Sequence, residues 1–231
     1  MIYYTKIENM KWFNRIFIII ALMLVFQAVN GQSKIRFNVH FDPQFAWLSS
    51  SDHDKINPAG SIFHMQAGIQ MDYFFEENYA FVLGFGINNL GGQLLYSDSV
   101  VYENDNQTVP IDPGQSVKMN LQYLDIPLGL KLKTEELGYG TFFLQVGFNP
   151  MFNINAHVTT KDGTYDKEYI KDSVNAFSLG YHVGAGIEYR LGGNTAAIGG
   201  VRWTSGLTNV TGRDGANISL NAISIHLGIL F

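Results

Sequence analysis

Alternation with a period of two runs through most of this chain. In "NAFSLGYHVGAGIEYRL" one side carries Phe177, Leu179, Tyr181, Val183, Ala185, Ile187 and Tyr189. The other side carries Ser178, Gly180, His182, Gly184, Gly186, Glu188 and Arg190. Successive strand residues point to opposite faces, so this is a strand with one apolar face and one polar or very small face. It exceeds the typical strand of about five or six residues. "RFNVHFDPQFAWL" sets Phe37, Val39, Phe41 and Phe45 against Asn38, His40, Asp42 and Gln44. "YLDIPLGLKLK" sets Leu124, Ile126, Leu128, Leu130 and Leu132 against Tyr123, Asp125, Pro127, Gly129, Lys131 and Lys133. "IFHMQAGIQMDYFF", "YAFVLGFGI", "FFLQVGFNPMFNI", "NTAAIGGVRWTSGL" and "NAISIHLGILF" repeat the pattern, which makes eight strands. The last of these puts Ile223, Ile225, Leu227, Ile229 and Phe231 on one face.

The breaks between strands alternate in length. "EEN", "TEELGYG" and "GGN" are tight turns, while "SSSDHDKINPAGS", the stretch from Gly91 to Val117, "TKDGTYDKEYIKDSV" and "NVTGRDGAN" are long. Both ends of the strand series fall on the short-turn side. This is the plan of an outer-membrane barrel: an even number of antiparallel strands, apolar outside and polar inside, with short turns at one rim and longer loops at the other. In hydrocarbon no backbone N–H or C=O can stay unpaired, so a sheet must close on itself. Aromatic side chains mark both expected rims, with Tyr73, Phe75, Tyr79, Tyr139, Phe142 and Tyr189 at the short turns. Trp47, Phe63, Phe152, Phe177 and Trp203 lie toward the long loops. A soluble barrel would invert the faces, but the lumen of eight strands cannot hold so many bulky apolar groups. The expected fold class is all-β, an eight-stranded antiparallel transmembrane β-barrel in the outer membrane.

Composition agrees. Charged residues make up 15%, against roughly 25% in ordinary soluble domains. The net charge of −5 gives no basic surface for nucleic acid. No cysteine is present, which removes disulfides, thiolate chemistry and a lipoprotein anchor. At the start, Lys6, Lys11 and Arg15 precede the apolar run "IFIIIALMLVF" and the small residues of "QAVNGQ". About eleven apolar residues is too short for a membrane helix, which needs roughly twenty. Residues 1–31 therefore read as a secretory signal peptide and 32–231 as the barrel.

"YLDIPLGLKLK", followed by a turn and "TFFLQVGFNP", resembles the PorT-like outer-membrane barrel proteins of the Bacteroidetes. In these a Tyr-Leu-acid-Ile-Pro-Leu strand is the most recognisable feature. The "FFEENYAFVLGFGI" hairpin and the Gln after the leader are similar to that group as well. The resemblance spans the mature chain. It implies an outer-membrane protein associated with type IX secretion, and it brings no catalytic motif.

The candidate chemistry lies on the inward face. His40, Asp42, His64, Asp72, Asp125, Lys131, His182, Glu188, Arg190, Arg202 and His226 are placed there by parity. They read either as an ion or small-ligand pathway or as a lumen plugged by ion pairs. The narrow lumen of eight strands favours the plug. Asp125 with Lys131, and Glu188 with Arg202, are the expected pairs. No HExxH spacing supports zinc. Ser178 or Ser224 beside His182 or His226 lacks any nucleophile motif, so no enzyme is expected. The loops "SSSDHD", "YENDNQ" and "KDGTYDKEYIKD" are acidic, but "DGTYD" is only a fragment of a calcium loop. No cofactor is expected. The expected partners are outer-membrane lipid, the barrel-assembly machinery (with Phe231 as its terminal signal) and envelope or secretion proteins met by the outer loops. A narrow solute channel is the competing function.

Overall fold

The computed structural model describes residues 34–104, 107–211 and 217–231. The expected signal peptide, 1–31, lies outside them. The strands are β1 (Ile35–Ser50), β2 (Ile56–Gly60), β3 (Ile62–Glu76), β4 (Tyr79–Tyr96), β5 (Val100–Asn104) and β6 (Gln107–Ile111). They continue with β7 (Ser116–Asp125), β8 (Leu128–Lys133), β9 (Gly140–Thr160), β10 (Glu168–Tyr169), β11 (Phe177–Gly192), β12 (Thr195–Gly206) and β13 (Ile218–Leu230). A short 3₁₀ turn, Lys171–Ser173, follows β10.

Every pairing is antiparallel, and the pairings form a closed circuit. β1 pairs β3, β3 pairs β4, and β4 pairs both β7 and β8. β7 and β8 both pair β9, which pairs β11; β11 pairs β12, β12 pairs β13, and β13 returns to β1. The seam is held to its end. Phe231 N–H donates to the Phe37 carbonyl at 2.8 Å, and Phe37 N–H donates back at 2.9 Å.

Among the described residues thirteen strands stand where eight were expected, for two reasons. First, β7 and β8 share one place in the ring, split at Ile126 and Pro127. Proline has no N–H for the ladder. The Pro127 carbonyl still accepts from Gly84 at 2.8 Å, and Ile126 N–H reaches the Pro150 carbonyl at 3.0 Å. Gly84 is needed beside that kink, because a Cβ there would stand 2.6 Å from Pro127 Cγ. Second, the long breaks are not unstructured loops. β4 runs on to Tyr96 and β7 starts at Ser116, with the β5–β6 hairpin between them, while β2 and β10 line up on β4 and β9.

Length shows how far the wall rises. β9 has 21 residues, about 70 Å at ~3.3 Å per residue, whereas a membrane-crossing strand needs about 9–11 residues. Only part of the wall is apolar outside. Phe41, Phe45, Ile69, Phe81, Phe85, Leu128, Phe148, Val201 and Ile225 are exposed around the ring. Aromatic pairs flank this belt, with Phe75–Tyr79 and Tyr139–Tyr189 at the short turns. Phe45–Phe63, Phe152–Phe177 and Tyr181–Trp203 lie at the other side.

Above the belt both faces exchange character. On β4, β7 and β9 the outward rung Ile87–Leu124–Phe152 is apolar, and the next, Asn89–Gln122–Asn155, is polar. The inward face makes the opposite change, from Asn88–Tyr123–Asn153 to Leu90–Leu121–Ala156. A register shift between Gln122 and Tyr123 leaves Ile154 as an extra residue on β9. This bulge moves the inward parity of β9 from odd to even numbers. The lower wall is thus a membrane surface, and the upper wall is built like a soluble barrel. The inverted arrangement that the sequence argued against occurs here in series with the expected one.

Candidate functional site

The interior has three layers. Nearest the short turns lies an ion-pair cluster. Lys131 of β8 reaches past β4, where Ala80 and Val82 are the inward residues, to Asp72 of β3 at 2.8 Å. It also meets Glu188 of β11 at 2.5 Å. Lys133 donates to Glu188 at 2.6 Å, and Arg36 stands 3.7 Å from the same carboxylate. Lys131 lies over the Phe143 ring at 4.7 Å. Its side chain is 1% exposed and that of Asp72 is fully buried. Two buried carboxylates thus meet the buried Lys131 and the half-buried Lys133, with Arg36 at the rim.

The middle layer is held by hydrogen bonds. Asp42 accepts from His226 Nδ1 at 2.9 and 3.0 Å, faces His40 Nδ1 at 3.1 Å, and has Arg202 3.7 Å away. Asp125 makes no ion pair among the described residues. It accepts from Gln66 at 3.0 Å, Asn88 at 3.3 Å and Asn149 at 3.0 and 3.1 Å. His182 Nδ1 lies 2.6 Å from Asn149 Oδ1, and its Nε2 lies 3.2 Å from Gln145. Gln145 donates to Gln70, and Gln70 donates to Asp72, which joins this layer to the lysine cluster.

The upper layer is an apolar core. Leu48, Leu90, Leu94, Met119, Leu121, Val158 and Leu220 line the wall. Tyr102, Val109 and Ile111 of the β5–β6 hairpin fold onto them, with Ile170, Val174 and Val210. A cap with its own hydrophobic core therefore lies over the polar interior. In its outer turn the exposed Asp162 carboxylate accepts from Thr160 and Thr164, which holds its pKa below the usual carboxylate range.

His40, Asp42, Asp72, Asp125, Lys131, His182, Glu188, Arg202 and His226 are all buried inside the ring. Arg190 is not. It keeps its ladder partner Ala196 but lies at the open short-turn mouth, where the side chain is exposed and pairs with Glu136 of the adjacent turn. The expected pairs differ as well. Lys131 takes Asp72 and Glu188 instead of Asp125, and Arg202 takes Asp42 instead of Glu188, because register sets which inward positions share a level. The candidate set took only ionisable groups and so left out the amide residues Gln44, Gln66, Gln70, Asn88, Gln145 and Asn149. All sit at inward parity, and that signal was present. His64, placed inward by parity, instead stands with the outward residues Asn89 and Gln122, its Nε2 3.3 Å from where a Cβ on Gly91 would be.

The donor set limits the chemistry. Ser178 Oγ pairs with Thr208 at 3.0 Å, and Ser224 Oγ donates to the Arg202 carbonyl at 3.4 Å, so neither serine is set on a histidine. His40, Asp42 and His226 hold ligand atoms within 4.8 Å of one another, a spacing that a metal ion would accept. Here the Asp42 oxygens are already engaged by both imidazoles, and a cation would also face the Arg202 guanidinium. The trio is satisfied as a hydrogen-bonded cluster.

No curated protein matches the chain in sequence. Solved structures similar to it include Neisserial surface protein A, at 15% identity and a TM-score of 0.49, covering 87% of this chain and 98% of that one. The outer membrane protein OprG from Pseudomonas aeruginosa is 13% identical with a TM-score of 0.40, covering 87% and 98%. Ail, the attachment invasion locus protein of Yersinia pestis, is 10% identical with a TM-score of 0.41, covering 85% and 98%. The family model described as outer membrane protein beta-barrel domain matches residues 31–212. The chain belongs to that family, and its place is the outer membrane.

Proposed function

We propose that this protein is a non-enzymatic, non-conducting barrel with eight transmembrane staves, whose folded outer cap docks a protein partner of the envelope. The observation that carries this reading is the sealed interior. Its buried charges pair with one another or with amides, and an apolar cap covers them. A solute path needs water-lined space through the whole ring; here a polar pocket of about 300 Å³ at the short-turn mouth, lined by Arg36, Lys133, Glu188 and Arg190, stops at the ion-pair cluster, and the layers above it are filled by side chains. The filled layers above that mouth speak against the narrow-channel alternative. What remains available for function is the cap, held rigidly above the membrane, where loops on a stable scaffold commonly bind.

The finer assignment is to the PorT-like group with a role in type IX secretion. It rests on the resemblance carried by "YLDIPLGLKLK" and the hairpin that follows. Two experiments test it. Deleting the gene in its native host should abolish export of type IX cargo, and normal export would remove the secretion role. Crosslinking from the exposed cap residue Lys161 in cells should capture an envelope protein. Capture of lipid alone would remove the docking role. Protein purified from outer membranes should begin near Gln32, as cleavage of a signal peptide requires.

A further inference from the structure

A cleft of about 170 Å³ opens in the outer wall where the apolar belt ends, lined by His64, Asn89, Asn120, Gln122, Asn155 and His157. We propose that it binds the phosphorylated sugar headgroup of an outer-leaflet lipid. The position is the first argument. The rung Asn89–Gln122–Asn155 stands directly on the lipid-facing rung Ile87–Leu124–Phe152. Acyl chains packed on the lower rung put their headgroup at the upper one, the level at which a membrane surface turns polar.

The second argument is unmet hydrogen bonding. His64 Nε2, Asn155 Oδ1 and His157 Nδ1 are buried and have no partner among the described residues. Buried polar atoms left alone are costly, and native proteins rarely keep several together without an occupant. Gly91 helps to make the space. A Cβ there would stand 2.1 Å from the Met119 carbonyl and 3.3 Å from His64 Nε2. The third argument is charge. Lys118 lies on the outward face two residues from Asn120 and is exposed, within reach of a phosphate on the same headgroup. No carboxylate lines the cleft, so a choline or ethanolamine cation would find no counter-charge there. Hydroxyls and amides of a sugar suit the unpaired atoms.

Native mass spectrometry of the folded protein tests this after equilibration with mixed micelles. The probes are lipid A, its dephosphorylated form, phosphatidylcholine and free glucosamine phosphate. One lipid A should be retained in preference to phosphatidylcholine. The variant Gln122→Leu with Asn155→Leu should lose at least tenfold of that retention while keeping heat-modifiable gel migration. Lys118→Gln, an exposed change, should abolish the difference between lipid A and its dephosphorylated form. Unchanged retention in either variant overturns the proposal, as does equal retention of phosphatidylcholine. Competition by glucosamine phosphate alone would also overturn it, since it would make the ligand a free sugar. Conductance and export do not enter these readouts, so they stand or fall separately from the sealed-barrel reading.

Discussion

Replacing Lys131 with Met tests whether the interior is as dry as its geometry indicates. The lysine bridges Asp72 and Glu188 at 2.8 and 2.5 Å, with 1% of its side chain exposed. Removing one partner of a buried pair costs about 3–5 kcal/mol, because the remaining charge is left without compensation. Here the two carboxylates are affected unequally. Glu188 keeps Lys133 at 2.6 Å and Arg36 at 3.7 Å. Among the described residues Asp72 keeps only the Gln70 amide, at 2.8 Å. The loss therefore concentrates on Asp72 and falls near the lower end, about 3 kcal/mol. Lys133→Met leaves Glu188 with Lys131 and removes a charge at the mouth, so it should cost about 1 kcal/mol. Adding Asp72→Asn to Lys131→Met should recover roughly half the loss, since the orphan charge is gone. Urea unfolding in phospholipid vesicles, followed by tryptophan fluorescence and gel migration, gives all three values. A cost below about 1 kcal/mol for Lys131→Met, or one equal to that of Lys133→Met, would mean that water solvates the cluster. The sealed-lumen argument would then fail.

Other predictions follow from the same wall. Leu128 points outward, paired with Leu83 and Phe148 inside the apolar belt, so Leu128→Arg should cost about 2–4 kcal/mol in a bilayer. A near-neutral result in the same unfolding assay would place that rung outside the lipid. Leu94→Ala, fully buried in the cap, should cost about 2–5 kcal/mol of cap packing. It should open the outer segments to protease while gel migration of the barrel is kept; simultaneous loss of both would join cap and barrel into one cooperative unit. Phe231→Ala removes an aromatic from the closing seam. It should lower the amount assembled in cells several-fold without changing stability after refolding in detergent, and equal loss in both measurements would assign Phe231 to stability alone.

Much of this wall was legible because one face of each strand repeats so strictly. Phe177 to Tyr189 could be assigned to the outside by parity alone, and a register slip of one residue would have reversed all of them. The circuit of pairings follows from the alternation of short and long breaks. Parity does not give level, and so the partners of Lys131 and Arg202 were misassigned. Asp72 and Lys131 lie 59 residues apart and meet only because β4 between them carries small inward residues. Arg190 has inward parity too, but it lies one rung beyond Glu188 at the open mouth, where it is exposed and meets Glu136 of the turn. The cap was overlooked because polarity was taken to hold along a whole strand. "SVKMNLQYLD" alternates as cleanly as any membrane segment, with Val117, Met119, Leu121 and Tyr123 opposite Lys118, Asn120 and Gln122. Its bulky face points inward, and reading each break for alternation of the opposite sense would have revealed it.

The central claim, that this barrel is closed by its own side chains, is tested most directly by conductance. Folded protein inserted into a planar bilayer, with insertion verified by protease protection, should leave the membrane silent at high protein load. Steady unitary current steps from the unmodified protein would contradict the account and return the channel to first place.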